Sequence, residues 1–246
     1  MDRLIYTAMT GAKHILEQQA TNANNLANAT STGFKAQIDA FRAVPIRGEG
    51  LPTRAFVVDA TTGADFTPGP IQSTNRDLDV AIQGKGWIAV QRADGSEGYT
   101  RNGSLKVSPN GILQTEKGLN VLGDGGSITI PPDVSITVGK DGTISSVTNN
   151  TLPGPANAVG RIKLVNPPEA NLVRGDDGLF VMSDGARVAA DPTVHLVGGA
   201  LEASNVNVVD CMVNMIGLAR SFETQMKMIQ TAENNENKAS QLFSLT

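Results

Sequence analysis

Apolar side chains at the two ends of the chain recur at steps of three and four, whereas those in the middle come in short runs cut by turns. At the start, Ile5, Ala8, Ala12, Ile15, Gln19, Asn22 and Leu26 follow a heptad seam, which predicts a helix over residues 1–29. The first half of that seam is apolar and the second half is mostly amide. At the other end Val208, Met212, Met215, Ala219, Phe222, Met226 and Ile229 recur by fours and threes, predicting a second helix across 204–233. Ser204 or Asn205 is placed to cap it. The first helix should stop in "TSTGFKA": its three hydroxyl residues compete for backbone hydrogen bonds, and Gly33 can turn left-handed or extend. Phe34 then offers an anchor just past the break.

Between the ends the pattern changes twice. Residues 35–76 hold "AVPIRGEGLPTRAF" and Pro68–Gly69–Pro70, which read as an extended linker with short strands. Residues 77–203 carry β-prone runs such as "LDVAI", "WIAVQ", "VSITV" and "TISSV". These are separated by Asn-Gly and Asp-Gly steps suited to tight hairpins. The expected organisation is therefore a helix (1–34), a linker (35–76), a mostly antiparallel β domain (77–203) and a helix (204–246). The fold class is mixed α+β. One amphipathic helix alone is marginal in water, so the two terminal helices are expected to pair as a coiled-coil-like hairpin, with the β domain looped out between them.

Residues 18–32 contain no charged side chain, yet include Asn22, Asn24, Asn25 and Asn28. Amides donate and accept without the desolvation cost of a charge, so this surface suits cover by further copies of the same or a similar chain. The candidate assembly residues are Ile5, Ala8, Ala12, Ile15, Asn22, Asn25 and Leu26 at one end. At the other they are Val208, Met212, Met215, Ala219, Phe222, Met226 and Ile229.

Composition narrows the remaining classes. Hydrophobic residues make up 40% of the chain, enough for a core. A net charge of −4 without a Lys/Arg cluster argues against nucleic acid as a partner. Cys211 is the only cysteine, so no intrachain disulfide framework forms, and it reads as a small packing side chain. No stretch has the apolar length of a membrane span, and "MDRLIYTAMTGAKH" lacks the basic and apolar regions of a secretory signal. By itself that reads as cytoplasmic; work beyond the inner membrane would need another export route.

No chemistry assembles from the motifs. His14 and His195 lack further ligands at metal-binding spacing. "GKGWIAV" lacks both the third glycine and helix of a dinucleotide fingerprint and the end of a phosphate loop, and reads as turn glycines framing a strand. Arg174-Gly175-Asp176 and Asp176-Asp177 fit a surface hairpin turn better than an adhesion or calcium site. Trp87 lies in an apolar run and reads as core. With 4% aromatic residues and no carboxylate pair, a wall-directed β-rich enzyme or glycan-binding module is a remote alternative. The expectation is a non-enzyme without cofactor or metal.

Three segments carry a resemblance. "NNLANATSTGFKA" resembles the N-terminal signature of the bacterial flagellar rod, hook and hook-associated proteins. "LDVAIQGKGWIAV" with "GYTRNGSLKVSPNGILQTEKGLNVLG" is similar to the central region of the rod and hook proteins, and "LEASNVNVVDCMVNMIGLARSFETQMKMIQTAENN" to their C-terminal signature. Within the family, the start, "FRAVPIRGEGLPTRAF" and "LARSFETQMKMIQ" resemble proximal-rod members more than distal-rod ones, which remain the alternative. Cys211 departs from the glutamate or alanine common there. The resemblance implies terminal helices packed in an inner tube with the β domain outside. It further implies a structural role in the periplasm-spanning rod of the basal body, torque transmission, and passage through the flagellar type III export apparatus. The implied partners are copies of the chain and other rod proteins, including the distal-rod protein.

Overall fold

The computed structural model describes residues 2–45, 55–132, 134–148 and 157–243. The central part of the Pro/Gly-rich stretch read as linker, residues 46–54, lies outside the described residues, as do the last residues of the chain, 244–246. The chain divides into two compact units. One draws on Met1–Ala29, Ala36–Asp65 and Val206–Thr246, and the other on Thr30–Lys35 and Phe66–Asn205.

The first unit is built on two helices, α1 (Asp2–Ala27) and α2 (Val208–Phe243). They pack against each other over much of their length, as expected from their heptad seams. A Cβ on Gly11 would sit 3.3 Å from the Gln225 side chain, and Asn22 reaches the Cys211 carbonyl, so the helices run antiparallel. Segment 35–76, read as a linker with short strands, contains a long hairpin in this unit. Strand β1 (Gln37–Pro45) pairs antiparallel with β2 (Ala55–Ala64), with a register shift at Ala40/Phe41. Alternating half-buried and exposed side chains along β1 fit a strand with one face packed on α1.

Every strand pair described in the second unit is antiparallel. Its largest sheet runs Leu164–Val165, Trp87–Gln91, Glu97–Thr100, Phe180–Met182 and Leu172–Arg174 in spatial order. Val134–Val138, Thr143–Thr148 and Asn157–Arg161 form a three-stranded meander. Val80–Gln83 pairs with His195–Gly198, and Ile71–Ser73 with Ala200–Glu202, closing the unit's two ends on each other. Val80, Ile82, Ile88, Val90, Leu105 and Leu196 lie in one apolar core, each at most 1% exposed. The expected fold class, paired terminal helices with a mostly antiparallel β domain between them in sequence, is what the chain adopts.

The helix boundary at 204 shifts for a physical reason. Asn205 donates its backbone N–H to Phe34 O and its amide to Thr67 O, so Ser204 and Asn205 are held in the β unit. Asn207 caps α2 instead, its Oδ1 accepting from the Val209 N–H at 3.0 Å. Truncating the β core at Leu105, which has no exposed surface, should leave a cavity. Leu105→Ala is expected to cost about 2–5 kcal/mol in urea denaturation followed by β-sheet circular dichroism.

Candidate assembly surface

The helix pair shows which sequence positions meet. On α1, Ala8 and Ala12 are buried and Ile5, Ile15, Gln19, Asn22 and Leu26 are half-buried, so the heptad seam faces the chain's own interior. On α2 the covered positions are Cys211, Met215, Leu218, Phe222, Gln225, Ile229 and Ala232. Met215, Phe222 and Ile229 belong to the seam read from the sequence. Val208, Met212, Ala219 and Met226 lie on its other flank and are exposed in the single chain. The helix thus carries two overlapping seams that share one row, and α1 covers one of them.

The amides are largely occupied within the chain. Asn25, 8% exposed, clamps the start of β1: its Nδ2 donates to Gln37 O at 2.9 Å and its Oδ1 accepts from Gln37 N–H at 2.8 Å. Asn22 Nδ2 donates to the Cys211 carbonyl at 2.7 Å, tying α1 to the first turn of α2. Thr21 donates to Asp39 of β1, and Asn28 to the Asn24 carbonyl. Asn24 itself is exposed. The neutral stretch therefore joins three backbones through uncharged side chains of its own, with the Asp39 carboxylate of β1 accepting from Thr21.

The "TGFKA" segment has a separate explanation, one that periodicity could not supply. Gly33 adopts φ +66°, and a Cβ there would fall 2.3 Å from the Arg101 carbonyl carbon, so this position requires glycine. Its N–H donates to Glu202 O at 2.7 Å. Phe34 is buried under the Arg174 guanidinium, 4.4 Å from ring centroid to Cζ, and Arg174 also donates to Lys35 O. Burial lowers the pKa of Arg174.

Lys35 and Glu202, with side chains 0% and 1% exposed, pair at 2.7 Å. The second Glu202 oxygen accepts from Arg101 at 2.9 Å. Lys35 also donates to Thr67 O, the Gly69 N–H donates to Glu202, and Arg101 donates to Gly84 O. Arg101 Nε is buried without a hydrogen-bond partner, but the guanidinium lies 5.3 Å from the Trp87 ring centroid. Trp87 in turn packs on Phe66 and Phe180. None of Lys35, Arg101 and Glu202 stands out in the sequence. The one available signal is a charged residue inside a short apolar run, as in "GGALEAS".

The remaining sequence candidates are structural. His14 bonds Glu17 at 2.9 Å and meets the Phe41 ring edge-on. His195 lies in a strand opposite Gln83. Gly84–Gly86 form the turn before Trp87, and Lys85 pairs with Glu169. Asp177, next to the Arg174-Gly175-Asp176 triplet, accepts from Arg92. Among the described residues, no three His, Cys, Asp or Glu side chains are grouped to hold a metal ion. Cys211 is buried, and desolvation, followed by the nearby Asp210 carboxylate, raises its thiol pKa.

Comparison with known proteins follows this geometry. The profile described as "Flagellar hook protein FlgE/F/G D1 domain" matches residues 81–146, within the β unit. "Flagellar basal body rod FlgEFG protein C-terminal" matches 197–242, which includes most of α2. Together they define the class, the flagellar hook and rod proteins. The chain is 50% identical over 256 residues to the flagellar basal-body rod protein FlgF of Escherichia coli K12, covering all of both chains. It is 49% identical to that of Salmonella typhimurium LT2, again over 100% of each. The flagellar basal-body rod protein FlgG of Borreliella burgdorferi is 30% identical over 95% of this chain and 96% of its own. The chain belongs to the FlgF family of flagellar basal-body rod proteins.

Two predictions follow from this geometry. Glu202→Ala leaves two buried cations facing each other, and should destabilise the chain by about 3–5 kcal/mol in chemical denaturation; a loss below about 1 kcal/mol would contradict the arrangement. The raised pKa leaves less Cys211 thiolate at a given pH. At pH 8 the native chain should therefore react with a thiol reagent well below the rate measured in denaturant.

Proposed function

We propose that the chain is a structural, non-enzymatic subunit of the proximal flagellar basal-body rod. It polymerises through its terminal helices to transmit torque across the periplasm. Full-length similarity to FlgF proteins supports the rod assignment, and 50% identity there against 30% to a FlgG protein favours the FlgF position over the distal rod. The observation that carries the assembly reading is the apolar face of α2 turned away from α1, left bare in the single chain: Val209 is 66% exposed, Met212 51%, Val213 62% and Ile216 57%. A monomer gains nothing from such a surface, whereas a polymer covers it.

The candidate residues divide into two roles on this reading. Ile5, Ala8, Ala12, Ile15, Asn22, Asn25 and Leu26, with Met215, Phe222 and Ile229, hold the helix pair together. Val208, Met212, Ala219 and Met226 contact neighbours. An open axial assembly needs heterologous contacts, which copies of the chain and related rod proteins, including the distal-rod protein, would supply. The helical core would comprise residues 1–34 and 204–246, and the β domain 77–203 would stand outside it. The flagellar type III export apparatus is the proposed route into the periplasm.

Electron cryotomography of cell envelopes from a strain lacking the gene, beside its complemented parent, tests the role. Motor bases with an absent or truncated rod and no hook are expected; complete rods and hooks would overturn it. In the same strain Met226→Asp, at a side chain 40% exposed, should abolish motility while the β-sheet circular dichroism of the purified chain is unchanged. Swimming at the wild-type rate would remove Met226 from the assembly surface.

A further inference from the structure

The β unit holds a cavity of about 500 Å³ that neither the helix pair nor the Lys35–Arg101–Glu202 cluster explains. Its floor is a charged pair on the five-stranded sheet. Glu97 lies opposite Gln91 on the neighbouring strand, and Lys163 precedes Leu164, which lies opposite Ile88 on the other side of that same strand. The two side chains meet across Trp87–Gln91, with Lys163 Nζ 2.6 Å from Glu97 Oε1 and side-chain exposures of 17% and 4%. Two walls rise from this floor. One is the turn joining Leu122–Gly123 to Gly126–Ser127, tied in where the Lys163 N–H donates to Leu122 O at 2.9 Å. The other is segment 187–190, tied to the sheet where the Val188 N–H donates to the Tyr99 hydroxyl at 3.1 Å.

The uncommitted groups decide what the cavity can hold. An ammonium has three donors, and among the described residues Lys163 Nζ has no partner besides Glu97. Glu97 Oε1 is buried without a well-aligned hydrogen bond, even to Lys163. Asp124 on one wall and Arg187 on the other make no side-chain hydrogen bond or ion pair among the described residues. The Gln91 oxygen accepts from Asn120 Nδ2 at 3.3 Å, which leaves the Gln91 amide donors for the cavity.

Two cations and two carboxylates line this space, so their charges cancel. A simple anion or cation would leave the filled site with a net charge beside a buried pair, whereas a ligand with separated opposite charges would not. Arg187, with its planar fork, and Lys163 suit a carboxylate; Glu97 and Asp124 suit an ammonium. The Gln91 amide suits a peptide carbonyl. The volume lies in the range of small-molecule sites and is ample for a dipeptide. We propose that this cavity binds a short peptide with both ends free, its carboxylate held by Arg187 and Lys163 and its ammonium by Asp124 and Glu97. The site lies within the β unit and does not depend on the rod-subunit reading.

Titration of the purified full chain with the dipeptide Ala-Ala, followed by amide NMR shifts, tests the site. Saturable shifts centred on the amides of Gly95, Gly126, Ala189 and Ala190 are expected. The N-acetylated and C-amidated dipeptides should each bind at least about tenfold more weakly, which probes the charges without any variant. Arg187 is exposed, so Arg187→Gln should keep the β-sheet circular dichroism while weakening Ala-Ala binding about tenfold. An absence of shifts at those amides up to about 10 mM dipeptide would overturn the proposal. Shifts scattered over the whole chain would do the same. Equal binding of the doubly blocked dipeptide, or unchanged affinity in Arg187→Gln, would remove the charge pairing on which the site rests.

Discussion

One buried carboxylate organises the β unit. Glu202 sits where three separated pieces of chain converge, with Lys35 on one oxygen and Arg101 on the other. Its backbone carbonyl accepts from Gly33, and its side chain also accepts from Gly69. An ion buried in this way is costly unless it is paired and hydrogen-bonded, and Glu202 accepts three hydrogen bonds, from two cations and a backbone N–H. Two cations against one carboxylate leave an excess of positive charge, and the Trp87 face beneath Arg101 offsets part of it. The segment that follows α1 is therefore part of the β unit: Gly33 touches backbone, Phe34 is roofed by Arg174, and Lys35 has no exposed side-chain surface. Apolar packing could have held these residues as firmly, but only directional bonds fix which pieces meet.

The second organising feature is a helix that carries more apolar surface than one partner can cover. Heptad rows sharing Met215, Phe222 and Ile229 run along α2. The side facing α1 takes Cys211, Leu218, Gln225 and Ala232, a mix of small and polar residues that permits close approach. The bare side takes Val208, Met212, Ala219 and Met226. The less apolar seam is thus the one used within the chain.

How much of this was legible in the sequence depended on the range of the interactions. The helices were visible because a heptad is local, and the strands because Asp-Gly and Asn-Gly steps mark their ends. Which flank of the α2 heptad α1 covers was not, since rows through Val208 and Cys211 both contain Met215, Phe222 and Ile229 and periodicity ranks them alike. The β1–β2 hairpin was obscured by the prolines and glycines around it, although "QIDAFRAV" has the composition of a strand. Lys35, Arg101 and Glu202 were invisible because their meaning lies in contacts spanning 167 and 101 positions. The cap of α2 was misplaced by a few residues because Asn205 and Asn207 are equally good caps locally, and only the bonds of Asn205 to Thr67 and Phe34 exclude it.

These features explain why a helix end so rich in amides carries no charge. Backbone groups where α1, β1 and α2 meet must be satisfied in the single chain, and under the assembly proposed above they would stay satisfied when solvent is excluded. Water could serve the first state alone, and Lys or Glu would oppose the second with a desolvation cost. Asn25 on Gln37 and Asn22 on Cys211 serve both, because an amide that has replaced water at these sites loses nothing further when more protein covers it.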